Sequence, residues 1–250
     1  MPLLHKIMIM QKSRIAGLVL LATAALAQQQ QSVEITSDPS HHQVLQNEYV
    51  RVFDVTVAPK ATTLVHRHGH DYLFVTLGDS DITNARVGEK PVSLKLKDGE
   101  VRFTPGNFAH AAINNSSKPF HNTTIELLNP STNVKTCTEA CEMPAPCASE
   151  KAACATIYPL ISSDQWTAIL IKIPPGGRLE NHARSAPHLF IPVSDLDLAV
   201  DLGDPSRTFR LKRASGQVNW IPGRGTAPTL VNDTANPQQF VVLEFKAEKP

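Results

Sequence analysis

Residues 94–110 read LKLKDGEVRFTPGNFAH, and this stretch decides the fold. Leu94 and Leu96 alternate with Lys95 and Lys97, and Val101 and Phe103 alternate with Glu100, Arg102 and Thr104. That is the period-two pattern of strands with one buried face. Asp98-Gly99 lies between the two runs and signals a tight turn. The same landmarks return 117 residues later in RLKRASGQVNWIPGRGTA, which starts at Arg210: Gly216 falls on Gly99, and Pro222-Gly223 on Pro105-Gly106. A repeat of about a hundred residues has the size of a small β-barrel or jelly-roll domain, not of a solenoid unit.

Working outward, further apolar runs bounded by Gly, Pro, Asn and Asp occur at Val50 to Val57, Tyr72 to Leu77, Thr123 to Leu128, Thr167 to Ile173, Leu196 to Leu202 and Phe240 to Phe245. No long stretch carries a helical period, so the expected class is all-β. The 250 residues, 42% of them hydrophobic, suffice for one large core or two modest ones. The charges nearly cancel at +1 with no Lys/Arg run, which argues against nucleic acid as a partner.

The first 27 residues are of another kind. Lys6, Lys12 and Arg14 precede an apolar run from Ile15 to Ala27 that ends Ala25-Leu26-Ala27. This reads as a secretory signal peptide with an AxA cleavage site, and its apolar run is shorter than the ~20 residues that span a bilayer. Cleavage would remove three positive charges, taking the chain from +1 to near −2. An exported protein, periplasmic or extracellular and without a membrane span once cleaved, is the expectation. Cys137, Cys141, Cys147 and Cys154 all fall in one stretch, and their even number suits two disulfides in an oxidising compartment. The spacing lacks the paired CxxC knuckles of a structural zinc site. The expected division is 1–27 signal peptide, 28–134 first barrel, 135–156 cysteine-rich linker and 157–250 second barrel.

The chemistry is carried by histidines. His66, His68 and His70 lie within five residues, in VHRHGHDYLFVTLGD, and His110 closes the stretch quoted first. Alternate residues of a strand share a face, so His66 and His68 present two imidazoles from Cα atoms roughly 6 to 7 Å apart. His70 would stand roughly 13 Å from His66 on a straight strand, and joins them only if the chain bends at Gly69. His41, His42 and His121 have no such company and read as surface or hydrogen-bonded histidines. Trp166 and Trp220 lie in strand-like runs and read as core or domain-interface residues.

These residues resemble the cupin superfamily, whose second motif is written G(x)5PxG(x)2H(x)3N. Gly99, Pro105, His110 and Asn114 keep its spacing, with Asn107 at the place of the middle glycine. The first motif is matched in part by His66, His68, Asp71 and Gly78, with Asp71 replacing a glutamate one residue early. The resemblance implies two tandem double-stranded β-helix barrels and a metal held by His66, His68 and His110, with Asp71 as fourth ligand and His70 or Tyr72 as alternatives. One divalent ion (Fe, Mn, Zn, Ni or Cu) is the implied cofactor, since imidazole suits Zn, Cu, Fe and Ni while a carboxylate shifts preference toward Mn or Fe. In the second repeat the place of His110 is Ala227 and the HxH has become His182-Ala-Arg184, with His188 beyond, so that barrel is expected to be metal-free.

The expected function is an exported two-barrel cupin binding one metal in its N-terminal barrel. It would act as a metal-dependent oxidoreductase, decarboxylase or isomerase on a small oxygen-rich or carboxylate substrate. The alternative is a non-catalytic, metal-stabilised binding or structural cupin. Glu89 and Glu100 are available acids that nothing in the sequence singles out. A homo-oligomer is compatible with the resemblance.

Overall fold

The structure is a computed structural model, and it describes residues 32–137, 143–144, 153–180, 186–204, 207, 209–223 and 228–246. The expected leader over residues 1–27, Cys141 and Cys147, and His182, Arg184 and Ala227 lie outside the described residues. Among the described residues nearly all of the regular structure is strand. Ten strands come first: β1 (Val33–Glu34), β2 (His41–Gln46), β3 (Val50–Val57), β4 (His66–His68), β5 (Tyr72–Leu77), β6 (Ser80–Arg86), β7 (Val92–Leu96), β8 (Val101–Thr104), β9 (Phe108–Asn114) and β10 (Phe120–Leu127). A 3-10 turn, Ile35–Ser37, follows β1. Eleven more follow: β11 (Lys135–Thr136), β12 (Met143–Pro144), β13 (Thr156–Ser162), β14 (Trp166–Ile173), β15 (Arg178–Leu179), β16 (His188–Pro192), β17 (Leu196–Asp201), β18 (Phe209–Arg213), β19 (Asn219–Ile221), β20 (Thr229–Val231) and β21 (Gln238–Phe245). Among the described residues no helix is long and apolar enough to cross a membrane.

The first ten strands form two five-stranded sheets, in the orders β1-β4-β9-β6-β7 and β2-β3-β10-β5-β8. The rest form sheets ordered β11-β13-β14-β21-β16-β19, with β12 also on β13, and β15-β20-β17-β18. Strands β11 and β12, within the expected linker, thus pair with the second unit.

Why the central strands read as continuous apolar runs is explained by their two buried faces. On β5, Leu73, Val75 and Leu77 belong to a core between the barrels, while Phe74 packs into the first barrel. On β21, Val241, Leu243 and Phe245 face that same inter-barrel core, while Phe240 and Val242 face the second barrel. Trp166, 1% exposed, lies in this shared core with Phe103 of the first barrel 5.8 Å from its ring. Trp220 packs at its edge, stacked on Tyr49 at 5.3 Å.

The repeat landmarks acquire a physical reason here. Gly99 and Gly216 both have positive φ, +74° and +78°, which a glycine adopts without strain. Each also presses on the opposite barrel. A Cβ on Gly99 would meet Val193 and Leu170, and one on Gly216 would come within 2.9 Å of Leu77. Asn114 at the end of the second motif is buried, and its amide donates to the carbonyls of Val57, Ala58 and Lys118. Asn232 does the same in the second barrel with Ile173 and Asn236.

Candidate metal centre

The ligand geometry follows from register. Strand β4 is only His66-Arg67-His68, with the histidines buried and Arg67 exposed. It pairs antiparallel with β9, which sets His66 directly opposite His110. The three imidazoles therefore converge inside the first barrel: ring centroids are 4.6 Å apart for His66 and His110, and 5.1 Å for each of the other two pairs. One ligand atom from each lies within 4.8 Å of the others.

The rings of His66 and His110 are held from behind by hydrogen bonds, which fixes which nitrogen faces inward. His66 Nδ1 lies 3.0 Å from the Leu64 carbonyl and 2.8 Å from Asp38 Oδ2. Both are acceptors, so Nδ1 carries the proton and the buried Nε2, which has no hydrogen-bond partner, presents a lone pair. His110 Nδ1 donates to Asn84 Oδ1 at 2.7 Å. Its Nε2 points at His68 Nε2, 3.1 Å away; two such nitrogens are held together by one proton or one cation. Behind His68, Nδ1 faces Glu126 Oε1 at 3.7 Å, and Glu126 receives Arg51 Nε at 2.8 Å and Nη2 at 2.5 Å.

Electrostatics disfavour the charged forms of His68 and His110. Burial pushes His68 down to about 4, against the pull of Glu126. Burial and the neighbouring imidazoles push His110 down to about 2. Burial also raises the Tyr72 phenol to about 12, so it keeps its proton. Neutral imidazoles with lone pairs aimed at one point are what a divalent ion requires, and outer hydrogen bonds of this kind orient metal-binding histidines. The donor set fits a metal.

Asp71 is placed elsewhere. Its Oδ1 accepts the Gly106 N–H at 2.8 Å, and it belongs to neither group of converging donors among the described residues. The next residue, Tyr72, faces inward instead, with its ring stacked on His68 at 4.0 Å and 15°. His70 is half-buried and also outside the group; its carbonyl abuts Gly106. Asn107, standing where the motif has its middle glycine, adopts φ +63°, a conformation asparagine tolerates better than most residues.

A cavity of about 340 Å³ opens over the three histidines. Tyr72, Phe74 and Ile82 contribute to its wall, and Arg86, Lys90 and Arg102 bring three cations to it. The Arg86 guanidinium lies 4.0 Å over the Phe108 ring and 3.8 Å from Glu89, a carboxylate that also lines the cavity. Glu100 instead bonds Arg102 at 2.6 Å.

No protein-family profile matches the chain, and no curated protein matches it in sequence. Solved structures do match. A protein of Pseudomonas aeruginosa named for induction by glyoxylate superposes with a TM-score of 0.58 at 9% identity, over 82% of this chain and 79% of that one. AerE of Microcystis aeruginosa gives 0.53 at 13%, over 84% and 99%. A variant of oxalate decarboxylase from Bacillus subtilis gives 0.51 at 11%, over 84% and 76%. The fold is that of a two-barrel cupin.

In the second cupin barrel no group of three metal-capable side chains comes together among the described residues. His188 is buried on β16 with Nδ1 3.1 Å from the Ala186 carbonyl. In the first cupin barrel the sequence reading missed four contributors: Asp38, His41, Glu126 and Asn84. His41, read as a surface or hydrogen-bonded histidine, is 8% exposed, with its ring 4.5 Å from that of His66. Glu126 did leave a signal, a lone carboxylate inside the apolar run TTIELL, placed in register with Arg51 of β3. Asp38 and His41 left none, because they belong to neither motif.

Proposed function

We propose that this cupin binds one divalent transition-metal ion through Nε2 of His66, His68 and His110, and acts on a small carboxylate or similarly oxygen-rich anion. The observation that carries the reading is the convergence of three buried imidazoles at a cavity whose lining brings together Arg86, Lys90 and Arg102. When bound, the ion supplies a Lewis acid with open coordination positions. An all-imidazole donor set suits Fe, Zn, Ni or Cu better than Mn. The remaining work falls to the chain. Arg86 and Arg102 draw the anion in and orient it, the apolar wall of Phe74 and Ile82 excludes water, and the protonated Tyr72 offers a hydrogen-bond donor beside His68. Asp71 holds the turn at Gly106. The proposal includes export to the periplasm or outside, from the Lys6-to-Ala27 leader pattern, and disulfides among the four clustered cysteines.

A structural role for the metal is the second reading, favoured by the way the site ties β1, β4, β9 and β10 together. Chelation separates the two. On the enzymatic reading the metal-free protein stays folded by circular dichroism, while the loaded protein binds oxalate-sized acids and turns one over, with Arg102→Gln weakening binding about tenfold, the worth of one charge-assisted hydrogen bond. Collapse on chelation together with no acid bound by the loaded form would give the structural reading its place.

A further inference from the structure

We propose that Asp38, backed by His41, is the positioning residue of the metal ligand His66, so that the segment before the barrel motifs is part of the metal centre. This rests on the metal-binding reading above. Strand β1 runs parallel to β4, with Val33 and Glu34 paired to His66 and Arg67. Ile35, 1% exposed, anchors the following turn in the first barrel's core. That fixes Asp38 behind the ligand strand. The Ser40 N–H at 2.9 Å occupies Oδ1, leaving Oδ2 2.8 Å from His66 Nδ1 and 3.5 Å from His41 Nδ1.

Asp38 is 2% exposed. Only Oδ1 is satisfied by a hydrogen bond, and Oδ2 stands between the two imidazoles with none of its own. A carboxylate oxygen buried without a hydrogen bond needs a partner of positive polarity, and His66 Nδ1 at 2.8 Å is the nearer of its two imidazole neighbours. The Leu64 carbonyl holds the Nδ1 proton and with it the His66 tautomer, and the carboxylate beside Nδ1 raises the basicity of Nε2. The three ligands are unequal in this respect. His110 has only the neutral Asn84 amide behind it, and His68 meets Glu126 at 3.7 Å with Arg51 already on that carboxylate.

Asp38, His41 and His66 also converge closely enough to suggest a second cation. The Leu64 carbonyl at 3.0 Å argues against it, because that contact needs the Nδ1 proton which a second cation would displace.

The test uses the full chain and Co2+ alone as probe, reading affinity by chelator competition and the visible ligand-field band. Asp38→Asn is expected to weaken Co2+ about 10–100-fold and to shift the band, with Asp38→Glu recovering part of the loss and His41→Gln giving a smaller loss. A merely structural residue would lower the apo melting temperature without moving the band. Unchanged affinity and band in Asp38→Asn would overturn the inference while leaving the metal centre intact; failure of the wild-type chain to bind Co2+ would instead sink the metal centre itself. Loss of the folded apo state in both Asp38→Asn and His41→Gln would make the pair a clasp for the fold and overturn the positioning role.

Discussion

Glu126 shows how much one residue is asked to do. Its side chain is fully buried, it receives two hydrogen bonds from Arg51, and its other oxygen faces His68. Burial opposes its ionised form, but His68 and Arg51 hold its carboxyl below the ordinary value. Removing the charge strands Arg51, whose side chain is 23% exposed, so part of that loss is screened by water. Glu126→Gln should cost about 2–3 kcal/mol in urea unfolding and also weaken metal binding through His68. A variant as stable as wild type would show that the pair contributes nothing net to folding.

The turn from β8 to β9 shows the same coupling at the scale of an element. Pro105, Gly106 and Asn107 carry the chain past the end of β4, where the Asn107 N–H donates to the His68 carbonyl at 2.8 Å. A Cβ on Gly106 would stand 2.3 Å from the His70 carbonyl carbon, which is backbone and has no rotamer to yield. Gly106→Ala should therefore destabilise by about 2–3 kcal/mol and lower metal affinity, since His68 and His110 flank the turn; a neutral effect in both assays would contradict this packing. Asn107→Gly, by contrast, should be neutral, because φ +63° suits both residues. This element was readable in advance through the resemblance that the spacing of Gly99, Pro105, His110 and Asn114 carries. Strands β7 and β8 were equally readable from alternation, and β3 and β5 as apolar runs between turn residues. Strands β6 and β9 were not, because their inward residues Asn84, His110 and Asn114 are polar, which inverts the apolar-in pattern. Asp38 was invisible for a different reason. Parallel pairing of β1 with β4 brings it to the site, and no local periodicity reports a contact of that kind.

At the scale of the molecule, the two barrels are joined by a core that neither could bury alone, running from Val50 and Leu73 through Trp166 to Leu243. The barrels should therefore unfold in one transition, and substitutions where they touch should be felt by both. Gly216→Ala demands a strained φ and a shift of Leu77, and should cost about 1–3 kcal/mol without altering metal stoichiometry, since the added Cβ meets Leu77 and His121 and none of His66, His68 and His110. Two separate transitions, or a change of stoichiometry, would contradict that arrangement. The most direct test of the whole account is the number of divalent ions retained per chain after equilibrium dialysis, compared between the wild-type protein, His110→Ala and His188→Ala. Convergence of His66, His68 and His110 predicts about one ion for wild type and His188→Ala and almost none for a folded His110→Ala; equal retention in all three would contradict it.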